Sequence, residues 1–509
     1  MNLSTLFAIA LERSPDKLAL EFTDPELSSP EIPGQVDRYT YRELYAAVER
    51  WAAAFQQMGL QKGDRIAFFL GNRSEFVIAY LAVIRVGAVM VPVNLRYRKR
   101  EINHILHDCT AKILLTEAPQ QSVLDELEPD DLADVERVLL VDEAESWLGD
   151  STTPTPVVVQ GEDLALIMYT SGTTGRSKGA MITHNNVLAT VTGLLSAWAW
   201  EAEDVILLPL PLFHTHGLMV GLHCALAAGA TIRLRPKFDL AETLDVLGSG
   251  GASLFFAVPT VYFRLVETIR GMEPKPDFSR MRLFCSGSAP LPAETHNEFE
   301  QLTGLRILER YGMTETGMNF SNPYAGPRMA GTVGTPLPGV FGRIVDGQAK
   351  PVQPGAEGEM LVRGSNVFDG YWQDPEKTAA SFSIDGDGIR WFHTGDLARQ
   401  DPETGYVTLL GRRHELIISG GFNIYPREIE EMLCTFAGVV EAAVVGMPHP
   451  EWGEVPAAYL VCNGAVDEQA LTVYCRSQLA SFKLPRQFRY IEQLPRNAMG
   501  KVQKHLLPR

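Results

Sequence analysis

The sequence predicts an α/β protein: a large N-terminal region of helix-covered, mostly parallel sheets, then a small β-rich unit, then a smaller α+β C-terminal region. Three observations carry this expectation. From Tyr39 to about Pro259, helical stretches alternate with short apolar or β-branched runs closed by turn residues. Between Gly331 and Glu359 the pattern changes to Gly, Pro and short Val/Ile segments, which suits an antiparallel β unit. After Arg412 a compact helix, strand, strand, helix, strand order follows.

Taken in order, TYRELYAAVERWAAAFQQMG has helical periodicity and ends at Gly59, and DRIAFFL reads as a strand. SEFVIAYLAVIRVG is a helix ending at Gly87, and AVMVPVN is again a strand. AKILLTE, RVLLVD, DLALIMYT, DVILLPLP, ATIRLRPK and ASLFFAVP continue the alternation, implying parallel sheets buried on both faces. The chain is expected to divide into an N-terminal domain, 1–411, with its β-rich unit at about 331–411, and a C-terminal domain, 412–509. In the latter, PREIEEMLCTF and EQALTVYCRSQL are helices, and VEAAVVGM, AAYLVC and FRYIEQL are strands. No internal repeat or low-complexity segment interrupts the chain.

With 509 residues and 45% apolar composition the chain can bury several cores, so it is no small binding module. It carries 45 Lys+Arg against 62 Asp+Glu, a formal charge of −17, which argues against a nucleic acid or an anionic membrane as main partner. Any phosphate must then be held by local groups. The six cysteines are far apart and lack CxxC spacing, so they read as reduced and structural. The N-terminal segment reads as a docked helix rather than a secretory signal. Phe76 to Val93, the best membrane-span candidate, is interrupted by Arg85, Gly87 and Pro92, so a buried helix and strand is expected, in a soluble cytoplasmic protein.

The strongest motif is the run from Tyr169 to Gly179, YTSGTTGRSKG, after the apolar strand and before a helix-capable stretch. Its glycines let backbone N–H groups approach an anion, its hydroxyls add donors, and Lys178 adds charge. It is not a Walker A loop, because Ser177-Lys178-Gly179 stands where that pattern needs Gly-Lys-Ser/Thr. YGMTET, Tyr311 to Thr316, offers an aromatic ring, a hydroxyl and a carboxylate, suited to an adenine, a phosphate and Mg²⁺. FHTGD places Asp396 after a tight turn, where it could accept from both ribose hydroxyls. Gly411-Arg412 opens the domain junction, and PRNAMGK ends on Lys501. Each of these alone also has a bland reading as turn former, surface charge or tail residue.

In this order the motifs resemble the acyl-adenylate-forming superfamily, over nearly the whole chain from YTYRELYAAVERWA to GKVQK. Within it the likeness is to malonyl-CoA and methylmalonyl-CoA synthetases, through LPLPLFHTHGL, MRLFCSGSAPL, ERYGMTETGMNFSNPY, GFNIYPREIE and LPRNAMGKVQK. The resemblance implies ATP, Mg²⁺ and coenzyme A: a carboxylate attacks the α-phosphate, pyrophosphate leaves, and a thiol then takes the acyl group. Both steps gather negative charge, so donors, a metal and a cation must stand where it develops.

The resemblance further implies that Thr170, Ser171, Gly172, Thr173, Thr174, Gly175 and Lys178 hold the β and γ phosphates. Tyr311 and the backbone of Gly287, Ser288 and Ala289 bracket adenine, Thr314 touches the α-phosphate, Glu315 ligates Mg²⁺, and Asp396 and Arg412 hold the ribose. Lys501 bridges the acid and the α-phosphate, and a hinge at His414 then rotates the small domain. At that hinge position relatives commonly carry Asp or Lys. Gly420 and Gly421 would line the pantetheine tunnel, and His214 would stand beside the acyl carboxylate. For the acid, Arg282 is the expected partner of a distal carboxylate, with Thr215, His216, Ser286 and Met313 shaping the pocket; a structural role for that arginine is the alternative. The expected activity is malonyl-CoA or methylmalonyl-CoA synthesis. Ligation of another short, medium-chain or aryl acid, or noncatalytic acyl-adenylate binding, are the alternatives.

Overall fold

The computed structural model describes residues 2–24, 36–150, 152–170, 177–419, 422–449, 452–479, 481–497 and 500–508, with only the backbone of Phe422, Asn423 and Phe482. Four sheets build the fold. The largest has nine strands in the order Thr335–Pro336, Gly317–Ser321, Ile307–Met313, Leu283–Ser286, Leu254–Ala257, Val205–Leu208, Thr231–Leu234, Leu18–Thr23, Val36–Thr40. Its pairings from Ile307–Met313 through to Leu18–Thr23 are parallel, and both edges are antiparallel. A seven-stranded sheet has the same plan. Arg65–Phe69, Val89–Pro92, Ile113–Thr116, Arg137–Leu140 and Leu164–Thr170 run parallel, while Lys178–Thr183 and Gly370–Tyr371 close it antiparallel.

Local chemistry explains the helices that cover these sheets. Tyr41–Gln57 starts at a capping box, with Thr40 and Glu43 exchanging side-chain and backbone bonds, and buries Leu44, Val48, Trp51 and Phe55 on one face. Ser74–Val86 is buried nearly all round and stops at Gly87, whose φ of 73° suits a residue without a Cβ. It packs against Tyr41–Gln57, so Phe76–Val93 is interior helix and strand, and no described helix is long and apolar enough to cross a membrane.

The remaining two sheets are antiparallel in their main pairings. One is built from Val340–Val345, Glu357–Gly364, Phe382–Ile384, Arg390–Gln400 and Val407–Arg412. The other takes Ile417–Ser419, Phe422–Ile424, Val439–His449, Gly453–Cys462 and Gln487–Tyr490, with helices Pro426–Cys434 and Glu468–Gln478.

The phosphate-loop motif joins two strands, Leu164–Thr170 and Lys178–Thr183, which pair antiparallel with Thr170 opposite Lys178, and the helix expected beyond it follows as His184–Ala197. One local expectation changes. Asp396 lies inside the long strand Arg390–Gln400 rather than after a turn; Gly395, at φ 70°, and a register shift beyond Leu397 bend that strand instead.

Candidate active site

The parallel strands of the large sheet end together, which is where open α/β sheets gather ligand-binding groups. Ser286 closes one strand, and Tyr311 to Met313 close the next. Between them the loop at Gly287 turns sharply, with Ser288 at a left-handed φ of 71°. Its hydroxyl reaches His216 Nδ1 at 3.2 Å. His216 starts the buried π-helix His216–His223, whose wide turn packs Gly217 against the carbonyls of Leu210 and Pro211.

A polar corner forms from three distant segments. Asp396 Oδ1 pairs with Arg412 Nε at 2.9 Å, and the Tyr311 hydroxyl donates to Asp396 Oδ2. Asp396 and Arg412 sit opposite each other across a strand pair, and Arg412 Nη1 also donates to the Thr394 carbonyl at 3.0 Å. Burial first, then the neighbouring Asp396 carboxylate, push the Tyr311 phenol well above its ordinary pKa, so it stays a donor.

Lys501 comes to this corner from the other end of the chain. Its backbone N–H donates to Asn497 Oδ1 at 3.0 Å, and Arg96 Nη1 donates to the Asn497 carbonyl at 3.4 Å. The ammonium reaches solvent, yet protein crowds it; that lost hydration first, then Arg412, lower its pKa, while Asp396 and Glu415 oppose the shift. The hinge candidate His414 lies on the turn Arg413–Glu415, its pKa lowered chiefly by partial burial.

The phosphate loop is fixed at both ends. Thr170 Oγ1 donates to Glu315 Oε1 at 3.3 Å, and the Ser177 carbonyl meets His104 Nε2 at 2.8 Å. Lys178 Nζ stands 3.6 Å from Asp374 Oδ2. Ser171, Gly172, Thr173, Thr174 and Gly175 lie outside the described residues, as do Gly420 and Gly421. Glu315 is buried and also accepts from the Tyr371 hydroxyl at 3.1 Å. No group of three or more His, Cys, Asp or Glu among the described residues could hold a metal by itself. One carboxylate beside a phosphate loop does suit Mg²⁺, which is commonly held by one or two carboxylates and the substrate's own phosphates. Thr314, on the same short turn, is half-exposed.

Arg282 is paired within the protein, as the structural alternative expects. Its guanidinium clasps Asp204, with Nε to Oδ1 at 2.6 Å and Nη2 to Oδ2, donates to the Trp198 carbonyl at 3.0 Å, and lies over the Tyr324 ring. Arg282 precedes the strand that ends at Ser286. At ~3.3 Å of rise per residue it is therefore roughly 13 Å from the ligand end of the sheet.

The cation at the ligand end is Arg310, a residue that motif reading passed over. It is 3% exposed, and its Nε and Nη2 find no hydrogen-bond partner among the described residues. The groups that act on it are the Cys285 thiol and the Tyr262 phenol, and no described carboxylate offsets its burial, which lowers its pKa. A Cβ on Gly287 would stand 2.3 Å from the guanidinium carbon, so glycine there leaves the cation its room. Ser286 Oγ and His216 Nε2 are likewise buried without partners among the described residues. Burial first, and Arg310 second, hold His214 down to about 4 and His216 well below its ordinary value, so both imidazoles are neutral near pH 7. His214 Nδ1 accepts from the His216 backbone at 3.2 Å. Thr215 is buried, and Met313 packs on the core edge beside the Tyr311 hydroxyl. The signal that could have found Arg310 is the period of the strand: in ILERYGM the side chains alternate, so Arg310 and Glu309 leave on opposite faces.

Known proteins resemble this chain over most of its length. Residues 7–372 match the family model of the AMP-binding enzymes, and 428–501 match the AMP-binding enzyme C-terminal domain. The mitochondrial malonate–CoA ligase of Homo sapiens is 35% identical over 93% of this chain and 88% of its own. The indoleacetate–CoA ligase of Aromatoleum aromaticum is also 35% identical, over 96% and 94%. The crystal structure of ATP-bound MatB from Rhodopseudomonas palustris superposes with a TM-score of 0.90, at 39% identity, covering 99% of this chain and 98% of that one. The chain belongs to the AMP-binding enzyme family, as an AMP-forming acyl-CoA synthetase.

Proposed function

We propose that the acid this synthetase activates is a small dicarboxylate of the malonate or methylmalonate type. The observation that carries this reading is Arg310, a buried guanidinium near His216 and against Gly287, with two nitrogens unpartnered among the described residues. A cation buried without a counter-ion is costly unless a ligand supplies one. Identity alone does not choose the acid, because relatives named for malonate and for indoleacetate are equally similar.

In this reading ATP lies along the sheet ends, its phosphates at Thr170, Lys178 and the loop between them, its ribose on Asp396 and Arg412, its adenine between Tyr311 and the Gly287–Ala289 backbone. Thr314 meets the α-phosphate. Glu315 would hold Mg²⁺, which when bound offsets phosphate charge. The proximal carboxylate attacks the α-phosphorus while Lys501, near Arg412 and Asp396, neutralises the charge that develops there. Domain 412–509 then turns at His414, withdrawing Lys501 and bringing Gly420 and Gly421 to a tunnel for the coenzyme A thiol. His214, neutral, stands beside the acyl carbon without adding charge. A soluble, cytoplasmic setting belongs to the same reading.

The test is a panel of malonate, methylmalonate, propionate, butyrate and indoleacetate, with AMP and thioester both measured, for the native enzyme and Arg310→Met. Native preference for the dicarboxylates, narrowed by ~100-fold or more in the variant, is expected for loss of a buried carboxylate's cation. Native preference for a monocarboxylate, or an equal loss for every acid, would remove the assignment.

A further inference from the structure

We propose that Glu309 is a positioning residue that ties the adenosine loop to the docking of the small C-terminal domain. It rests on the adenylate-forming chemistry and not on the choice of acid. Glu309 is 2% exposed on the central strand Ile307–Met313, on the face opposite Arg310. Its Oε1 accepts the Leu291 backbone N–H at 3.0 Å, and its Oε2 is buried with no partner among the described residues. Leu291 ends the same loop whose Ser288 sits at φ 71° and whose Gly287 is closed over by Arg310. One carboxyl oxygen thus anchors the loop placed against adenine, and the other awaits either a proton or a charge.

The charges that act on Glu309 come from one helix of the small domain, Pro426–Cys434. Arg427 favours the carboxylate and Glu431 opposes it. Arg427 also crosses the junction, donating through Nη1 to the Leu409 carbonyl at 2.7 Å and through Nε to Glu431 at 2.7 Å. Burial, the largest influence, raises the Glu309 pKa to about 7. Docking of Arg427 therefore shifts Glu309 toward the anion, and an anion accepts the Leu291 N–H more strongly than the neutral acid does. The loop is held most firmly while the small domain is in the position that delivers Lys501.

The experiment measures KM for ATP and kcat of acyl-adenylate formation from pH 5.5 to 8.5, at saturating Mg²⁺, in the native enzyme, Glu309→Gln, Glu309→Leu and Arg427→Gln. ATP's own titration is common to all four, so differences between them isolate Glu309. Native KM for ATP should rise on acidification with a midpoint near neutrality. Glu309→Gln, which keeps an acceptor for Leu291 but cannot ionise, should lie near the acidic limb of the native curve at every pH. Arg427→Gln should move the midpoint upward. Glu309→Leu, with no acceptor, should raise KM for ATP by roughly tenfold throughout, with kcat changed less. A Glu309→Gln profile that tracks the native one, an unmoved midpoint in Arg427→Gln, or equal loss of kcat and KM effects with lowered thermal stability in Glu309→Gln would overturn the proposal. Acyl-AMP formation by the native enzyme is read in the same assay, so failure of the chemistry itself is seen separately.

Discussion

Gly287 and Arg310 fit against each other so closely that a single added Cβ would meet the guanidinium carbon at 2.3 Å. The planar group has little freedom to yield, because it is 3% exposed. Gly287→Ala should therefore displace the cation without removing it. Catalytic efficiency with malonate is expected to fall at least tenfold more than with butyrate, and a parallel fall for both acids would mean that only the adenosine loop had been disturbed.

Arg282→Met tests the structural role proposed for that residue. Asp204, 3% exposed, would keep its bonds from Ser253 Oγ and the Glu201 N–H but lose its cation. Breaking a buried pair by removing one partner costs about 3–5 kcal/mol. Denaturant unfolding should show a loss of that order while the relative efficiencies for different acids stay unchanged. A change in acid preference at native-like stability would return Arg282 to the acyl pocket.

Lys501→Ala should separate the two half-reactions. Arg412 and Asp396 act on the ammonium in this arrangement, and the role proposed for it there is adenylation. Acyl-AMP formation is expected to fall by about two to three orders of magnitude or more, as when a charge-stabilising donor is removed. Conversion of supplied acyl-AMP to thioester should persist, and equal loss in both steps would reject the assignment.

His223 sets a stability trend with pH. It is fully buried, stacked on Tyr80 at 5.3 Å, and both ring nitrogens lack partners among the described residues. Burial holds it down to about 3, with His184 adding to the shift. The unfolded chain then binds the extra proton first, so stability present above pH ~6.5 is lost as the pH falls toward 3, by at most about 4–5 kcal/mol from this group. His223→Phe should flatten that slope in urea unfolding midpoints between pH 6.5 and 4.5; an unchanged slope would assign it to other groups.

The sequence by itself determined the architecture and the nucleotide-binding motifs. Apolar runs buried on both faces have few alternatives to parallel strands, so DRIAFFL, AVMVPVN and ASLFFAVP fell where expected, and the glycine after SEFVIAYLAVIRV marked its helix end. Tyr311, Asp396, Arg412 and Lys501 were legible because backbone motifs carry them, and the fold brings all four to one corner. The residue we propose as the acid's partner was not legible. An arginine four residues before Ser286 and one three residues before Met313 look alike in a string of letters, since charge pairing is decided by residues far away in the chain. Asp204, 78 positions from Arg282, takes that arginine out of the site. Gly287 and the Ile307–Met313 strand leave Arg310 inside it with no counter-ion among the described residues. Only tertiary packing sets which cation is neutralised by the protein and which is left for a ligand.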